Sequence, residues 1–157
     1  MLSTRFVVEG KPLPQPRGKI VTIKLRNGQV RSSVVVPDKH PIHDWKFAVV
    51  DGWRFERVKI DGPIAAVIDI VASRPDTLRW VRKPMPRLRD TRHVGDADNY
   101  AKAILDALNG KAYDDDAQIC ELLVRRWIAS GAEDPHAVVE LRELDTADAT
   151  PQLTLFD

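Results

Sequence analysis

The stretch that decides the fold is residues 95–119, which read GDADNYAKAILDALNGKAYDDDAQI. Its middle part repeats apolar residues every three or four positions, which predicts a helix over residues 98–109 that ends at Asn109 and Gly110. The residues that follow become mostly apolar and predict a strand over residues 117–128. A helix followed by a strand, with acidic residues at both ends of the helix, is therefore the central feature of this chain.

Two groups of aspartates flank the predicted helix. Asp96 and Asp98 are two residues apart, so in an extended segment their side chains point the same way. A helix of this length spans about 16 Å. The seven residues after it, 110–116, span up to about 23 Å when extended. The acids that follow the helix can therefore return to those that precede it, and together they can share one cation.

Three converging aspartates with no neighbouring His or Cys offer only oxygen ligands, which favour Mg²⁺, with Mn²⁺ as a substitute, over zinc. Such an ion offsets the repulsion between the carboxylates, activates water and neutralises charge on a phosphodiester. Lys102 would add a positive contact to the phosphate. The alternative is structural: Asp98 caps the helix, Lys102 is its i,i+4 partner, and residues 114–116 form a solvated turn.

The same stretch resembles the RusA family of Holliday junction resolvases, through a D-x-D-N-x-x-K helix start, a D-A-L helix body and a D-D-A-Q strand start. The resemblance implies a magnesium-dependent, structure-selective endonuclease of small mixed α/β fold that acts as a homodimer in DNA recombination and repair. It implies Asp96, Asp98 and Asp116 as catalytic acids and Lys102 as the essential lysine. The implied metal ligands are the same three aspartates and Asp115.

Two weaker points of similarity lie outside this stretch. They are residues 73–76 (SRPD) and the proline-rich residues 10–17 (GKPLPQPR). The basic segment between Asp76 and Asp96 is longer than in compact members of the family. Two alternatives therefore stay open: a nuclease that acts on flaps, forks or other replication intermediates, and a non-catalytic DNA-binding module associated with a clamp.

Charge is divided unevenly along the chain. The net charge is only +1, yet 19 of the 24 Lys and Arg lie in residues 1–93 and 14 of the 23 Asp and Glu lie in residues 94–157. Because carboxylates repel a polyanion, this combination suits a metal-dependent nuclease, although a solvated surface of uneven charge is the alternative. The candidate DNA-binding residues are Arg17, Lys19, Arg79, Arg82, Lys83, Arg87, Arg89 and Arg92.

Most of these cations fall in two segments. Residues 74–93 lack periodicity and contain three prolines, which predicts a mobile basic loop with Trp80 available for stacking on bases. Residues 19–26 and 29–36 predict a hairpin around Asn27 and Gly28, a pair that suits a type I′ turn. The hairpin is either a basic finger on phosphates or an edge that its lysines protect from aggregation.

The whole pattern predicts an α+β domain over residues 1–144. Its mixed sheet contains strands near residues 4–9, 64–72, 117–128 and 136–144, packed by helices near 42–56 and 98–109. Trp45 and Trp53 belong to the core. Asp69 interrupts an otherwise apolar strand and is either close to a metal site or a strand acid that reaches solvent or a partner.

Length and composition limit the class of protein. The 157 residues suffice for one domain, and 43% hydrophobic with 30% charged residues exclude a disordered chain. No apolar run approaches the roughly 20 residues of a membrane span. The single cysteine, Cys120, excludes a disulfide framework, and the start shows no secretory signal, so we expect a cytosolic protein.

The last residues, 145–157, predict a flexible tail that ends in QLTLFD. This ending is similar to the Q-L-x-L-F peptide with which bacterial replication proteins bind the sliding clamp, and it implies partner contacts by Gln152, Leu153, Leu155 and Phe156. An apolar tail needs a surface that buries it. The alternative is that it folds back on its own core or on a dimer mate.

Overall fold

The computed structural model describes residues 1–91 and 95–147. Two α-helices, α1 (Ile42–Arg54) and α2 (Ala97–Leu108), pack on a five-stranded mixed sheet. The strands of this sheet are β1 (Ser3–Glu9), β4 (Ile64–Ala72), β5 (Leu88–Arg89), β6 (Ile119–Ile128) and β7 (His136–Glu143). They lie in the order β1-β7-β4-β6-β5. The predicted α+β class is confirmed, and the predicted helices and strands lie within a few residues of those observed. The prediction missed β5 and two short 3₁₀ turns, Asp76–Leu78 and Asp116–Gln118.

The position of α2 follows from the parallel pairing of β4 and β6. A chain that joins two adjacent parallel strands must cross from the end of the first to the start of the second, and here α2 makes that crossing. The helix therefore begins at the end of the sheet where β4 and β6 finish. It ends where these two strands start. The direction of α2 therefore determines at which end of the sheet each group of aspartates lies.

Both helices cover the same face of the sheet. Ile64, Ala66, Ile68 and Ile70 of β4 belong to one buried cluster with residues of both helices, including Trp45. The intervening residues of β4 point to the opposite face because side chains alternate along a strand. Asp69 therefore lies on the face that neither α1 nor α2 covers.

The predicted hairpin forms a separate two-stranded sheet of β2 (Lys19–Lys24) and β3 (Val30–Val35), with all twelve residues exposed. Its turn is not type I′, since that type needs positive φ at both Asn27 and Gly28. Only Gly28 has positive φ, at +80°. The turn is instead closed by the Gly28 N–H, which donates to the Leu25 carbonyl at 2.9 Å.

The basic segment after β4, for which the composition predicted a mobile loop, is held within residues 74–91 by one of its own arginines. Arg74 is 5% exposed and donates to the carbonyls of Leu78, Pro86 and Ala129 at 2.7, 2.8 and 3.1 Å. One buried guanidinium thus ties both ends of the segment to the end of β6. The prolines explain why this segment has no periodic pattern in the sequence, and the Arg74 hydrogen bonds nevertheless tie it to the sheet.

Neither of the two described helices has the length and apolar character that crossing a membrane requires. The predicted clamp-binding residues of the tail, and Arg92, lie outside the described residues.

Candidate active site

Asp96 and Asp98 stand together at the start of α2. Asp96 occupies the N-cap position, with φ −87° and ψ 155°, and its side chain makes no capping hydrogen bond. Asp98 lies in the first helical turn, so the alternative in which it caps the helix is wrong. Both side chains are exposed, and both are therefore accessible to an ion or a phosphate.

The chain that leads into α2 is held in place by the proline-rich segment. Gly95 adopts φ +74°, and a Cβ there would lie 2.9 Å from Pro14 and 3.1 Å from the Tyr100 ring. Any other residue would be strained by its φ and would also clash. The Gln15 N–H donates to the Asn99 carbonyl at 2.9 Å. Residues 10–17, weakly similar to the family, thus position Asp96 and Asp98.

Lys102 projects from the same helix one turn later. Its Nζ lies 3.8 Å from Asp106, which also lies 3.8 Å from Lys46 of α1, and the Lys102 side chain is 60% exposed. The i,i+4 partner of Lys102 is therefore Asp106 rather than Asp98. Because long exposed pairs of this kind contribute little stability, the ammonium is available to a phosphate.

The second acidic group surrounds a short 3₁₀ turn, Asp116–Gln118, at the start of β6. The Asp115 carboxylate accepts from the Ala117 N–H at 2.9 Å. That bond is the main reason that the pKa of Asp115 lies below its ordinary value, and the neighbouring Asp116 side chain lowers it further. Both residues are exposed at this turn.

Gln118 holds this turn in place through hydrogen bonds. The D-D-A-Q pattern includes this residue, but the sequence did not reveal its role. Its Oε1 accepts from the N–H groups of Asp114 and Asp115 at 2.8 and 3.1 Å. Its Nε2 donates to the carbonyls of Ile60 and Gly62 at 3.1 and 3.0 Å. One amide thus joins the acidic turn to the chain that enters β4.

Asp114, which is not among the predicted metal ligands, has a different partner. Its carboxylate lies 2.6 Å from the Lys59 Nζ, and this contact raises the Lys59 pKa. Asp114 is therefore already paired within the chain, which sets it apart from Asp116.

The two acidic groups lie at opposite ends of α2. After the helix, the N–H groups of Lys111 and Ala112 donate to the Leu108 carbonyl, and the buried Tyr113 hydroxyl donates to the Leu105 carbonyl at 2.6 Å. Burial raises the pKa of that phenol, and the nearby charges of Asp116 and Asp106 raise it further. Residues 110–113 thus stay at the C-terminal end of the helix.

The predicted meeting of Asp96, Asp98 and Asp116 in one chain is therefore not found. A helix of twelve residues is about 18 Å long. Residues 110–113 turn tightly at the end of this helix, whereas the prediction assumed that residues 110–116 extend back along it. Among residues 1–91 and 95–147, no three His, Cys, Asp or Glu side chains lie close enough to hold one metal ion. The oxygen donors are of the type that binds a hard divalent cation. In a single copy of the chain, however, they lie too far apart to bind one ion together.

Asp69 is a paired strand acid and no part of this site. The Arg125 guanidinium donates to both of its oxygens at 2.6 and 2.7 Å, and Trp127 Nε1 donates at 2.9 Å. Burial alone would raise the Asp69 pKa, but these bonds and the Arg125 charge hold it below its ordinary value. Its place on the uncovered face of the sheet separates it from α2.

The candidate DNA-binding residues fall into two kinds. Arg87 pairs with Glu133 through bonds of 3.1 and 2.8 Å, and Arg89 stacks on Trp127 at 3.9 Å from the ring centre. The predicted stacking residue Trp80 instead packs against Arg74, at 4.8 Å from the guanidinium carbon to the ring centre. The remaining described cations of the set are also exposed: Arg17, Lys19, Arg79, Arg82 and Lys83. Among them, Arg79 lies 3.4 Å from Asp76.

Comparison with known proteins gives two matches. Residues 9–142 match the family described as Endodeoxyribonuclease RusA. The chain is also 31% identical over 147 residues to YqaN of Bacillus subtilis (strain 168), described as an uncharacterized protein. The match spans 89% of this chain and 96% of that one. The family match, over residues 9–142, includes both helices and both acidic groups. The chain belongs to the RusA endodeoxyribonuclease family.

Proposed function

We propose that this protein is a divalent-metal-dependent endonuclease that resolves Holliday junctions by paired phosphodiester hydrolysis in DNA recombination and repair. Family membership makes it an endodeoxyribonuclease, and Holliday junctions are the substrate class that the RusA family indicates. The observation that carries the proposal is the start of α2. There, two exposed aspartates and an exposed lysine one turn later project from a helix that Gly95 and the proline-rich segment hold in place.

Each of these side chains has a role that suits phosphodiester cleavage. The carboxylates of Asp96, Asp98 and Asp116 are the proposed ligands of the ion, with Asp115 beside them, and Mg²⁺ is the ion that their oxygens fit best. A bound divalent cation would supply water of lowered pKa and charge neutralisation. The Lys102 ammonium is proposed to stabilise the negative charge that accumulates on the phosphate.

The exposed cations support binding of a branched polyanion. Arg79, Arg82 and Lys83 project from the segment that Arg74 holds, and Arg17 and Lys19 lie at the base of the hairpin. Contacts of this kind bind any DNA backbone and carry no preference for a junction. Preference for a four-way junction must therefore come from the shape of the whole particle, which we propose to be a two-fold dimer with one acidic site for each of two related strands.

The direct test is cleavage of a synthetic four-way junction, a fork and a linear duplex at one salt concentration, with and without Mg²⁺. We expect metal-dependent cleavage of the junction above the other substrates, and we expect Asp98→Asn to lose it. The matched control is Asp51→Asn, which changes an exposed aspartate on α1. Equal cutting of forks would favour the replication-intermediate nuclease, and binding without any metal-dependent product would favour the non-catalytic module.

Two further parts of the proposal concern the cellular location of the protein and its protein partner. A reduced, exposed Cys120 suits a cytosolic protein. The tail residues Gln152, Leu153, Leu155 and Phe156 are proposed to bind a bacterial sliding clamp. Deletion of residues 152–157 should abolish binding to an immobilised clamp and leave junction cleavage unchanged, whereas a deletion that unfolds the protein would show that the tail packs on its own core.

A further inference from the structure

We propose that Val81, in the basic segment after β4, inserts at the branch point of DNA as an apolar wedge and so favours a junction over a linear duplex. The tip of the segment, which carries this wedge, is residues 79–83, RWVRK. This inference rests on the proposed action on branched DNA and supplies a preference that phosphate contacts alone cannot give. Val81 determines specificity and takes no part in hydrolysis.

The tip combines an exposed valine with exposed cations. Val81 is 85% exposed, against 36% for the adjacent Trp80, and Arg82 and Lys83 beyond it are exposed as well. Residues 77–89 contain five Lys and Arg and no Asp or Glu, so this surface attracts a polyanion. A single exposed apolar side chain is ordinary on a protein surface. One that lies among cations on a DNA-binding segment is placed to contact bases.

The backbone of the tip is strained directly after Val81. Arg82 has φ +65°, in the left-handed region, where the Cβ of an L residue is disfavoured. Glycine would occupy the same position without strain. Strain of this kind persists only where the surrounding structure enforces a shape, and it concentrates at sites that contact ligands. The strained turn therefore points to a shape that serves binding, with the Val81 side chain left in solvent.

Residues on both sides of Val81 hold the tip in place. The Trp80 ring packs on the buried Arg74 guanidinium, and the Trp80 N–H donates to the Met85 Sδ at 3.4 Å. The Met85 carbonyl accepts from the Gly131 N–H at 2.9 Å. A Cβ at position 131 would lie 2.6 Å from the Met85 Cε, so the two chains approach closely. Because the tip is already ordered, its insertion into DNA costs little conformational entropy.

The tip belongs to the end of the sheet where α2 begins. Arg74, at the base of the segment, donates to the carbonyl of Ala129, which directly follows β6. At the same end of β6, the Arg126 guanidinium lies 5.5 Å from the ring centre of Tyr100, near the start of α2. DNA that reaches the two exposed aspartates at the start of α2 therefore also passes the basic segment.

A branch point is the DNA feature that this tip suits. In a continuous duplex each base pair stacks on two neighbours, and an apolar side chain that enters between them must separate a stacked step. At a branch the stack is already interrupted, so the same insertion costs less free energy. Val81 would therefore add affinity at a branch and little on a linear duplex, while Arg82 and Lys83 contact phosphates on both.

The experiment measures binding of the full chain, in EDTA, to a four-way junction and to a linear duplex that carry 2-aminopurine at the branch and at the matching duplex position. Val81→Ala should raise the Kd for the junction about fivefold to tenfold and leave the Kd for the duplex unchanged. It should also remove the rise in 2-aminopurine fluorescence that wild type causes at the branch. An unchanged ratio of the two Kd values, an unchanged fluorescence rise, or a wild type that binds both substrates equally would overturn the proposal.

Two control variants separate the wedge from other effects. Val7→Ala changes a valine that is 46% exposed on β1, at the opposite edge of the sheet from β5, and should bind both substrates as wild type does. Arg82→Gly removes a cation and keeps the left-handed backbone, so it should weaken binding to junction and duplex by the same factor. If Arg82→Gly removes the junction preference and Val81→Ala does not, the cation reads the branch and the proposal is overturned.

Failure of the wedge and failure of the proposed function give different results. If Val81→Ala loses the junction preference while wild type cleaves no junction in Mg²⁺, the nuclease proposal fails and the wedge stands. If wild type cleaves junctions in preference to duplex while Val81→Ala binds them as tightly as wild type does, the wedge fails and the nuclease proposal stands. Because Val81 is 85% exposed, Val81→Ala should melt at the wild-type Tm, so a change in binding would report the lost contact with DNA.

Discussion

Replacement of Arg74 by methionine should destabilise the protein far more than replacement of any exposed arginine of the same segment. Three carbonyls accept from the Arg74 guanidinium, those of Leu78, Pro86 and Ala129. Loss of a bond from a charged donor costs about 1.5–3 kcal/mol when the acceptor stays buried. The Ala129 carbonyl belongs to a buried residue, whereas Leu78 is half-buried and Pro86 is exposed.

We therefore expect the free energy of unfolding to fall by about 2 kcal/mol for the lost bond to Ala129 and by about 0.5 kcal/mol for each of the other two bonds, a total of about 3 kcal/mol. For a chain of this size that corresponds to a fall of roughly 6–12 °C in Tm. Differential scanning calorimetry measures it, and limited proteolysis should show cleavage within residues 75–91. The control is Arg79→Met, whose guanidinium is exposed and lies 3.4 Å from Asp76.

The reasoning would be refuted if Arg74→Met melted within about 2 °C of wild type, or no lower than Arg79→Met. Methionine preserves most of the aliphatic volume, so a large effect would report the hydrogen bonds rather than a cavity. The variant should also weaken DNA binding, because the segment that carries Arg82 and Lys83 loses its attachment to the end of β6.

Three other changes have defined outcomes. Lys102→Met should slow junction cleavage by about 10²-fold with no change in Tm, since the side chain is 60% exposed and its only described ion pair is long. Asp69→Asn should cost about 1–2 kcal/mol in urea unfolding at pH 7, a figure discounted because the Arg125 side chain is 40% exposed. Because the folded pKa of Asp69 is lowered, its contribution is present above the unfolded value of about 4 and is lost as pH falls through the folded value, so the two proteins should converge in acid. The double change of Arg82 and Lys83 to Ala should reduce the slope of log K against log salt by about 2 on junction and duplex alike, and a loss confined to junctions would contradict phosphate contact.

Local sequence patterns predicted the helices and strands well because each of these elements depends on residues that are close together in the sequence. The helical spacing of α2, the apolar run of β4 and the acids around them need no knowledge of the rest of the chain. The basic segment after β4 could not be interpreted in this way. Its order depends on one arginine that meets carbonyls 4, 12 and 55 residues away, and composition carries no information about such contacts.

The same limit applies to the acidic site. Chain length allowed Asp116 to return to Asp96, but the Tyr113 hydroxyl and the Leu108 carbonyl keep the linker at the far end of α2. Asp69 was ambiguous for a related reason, because only the pairing of β4 with β6 places Arg125 beside it.

The sequence by itself determined the family and the fold class and supplied the candidate catalytic side chains, because residue type and spacing are properties of the chain alone. The tertiary structure decided how far apart those side chains lie. The parallel pairing of β4 and β6 fixes the direction of α2, and a rigid helix then separates the two acidic groups by its own length. Proximity between distant residues is a property of packing, and the sequence pattern does not contain it.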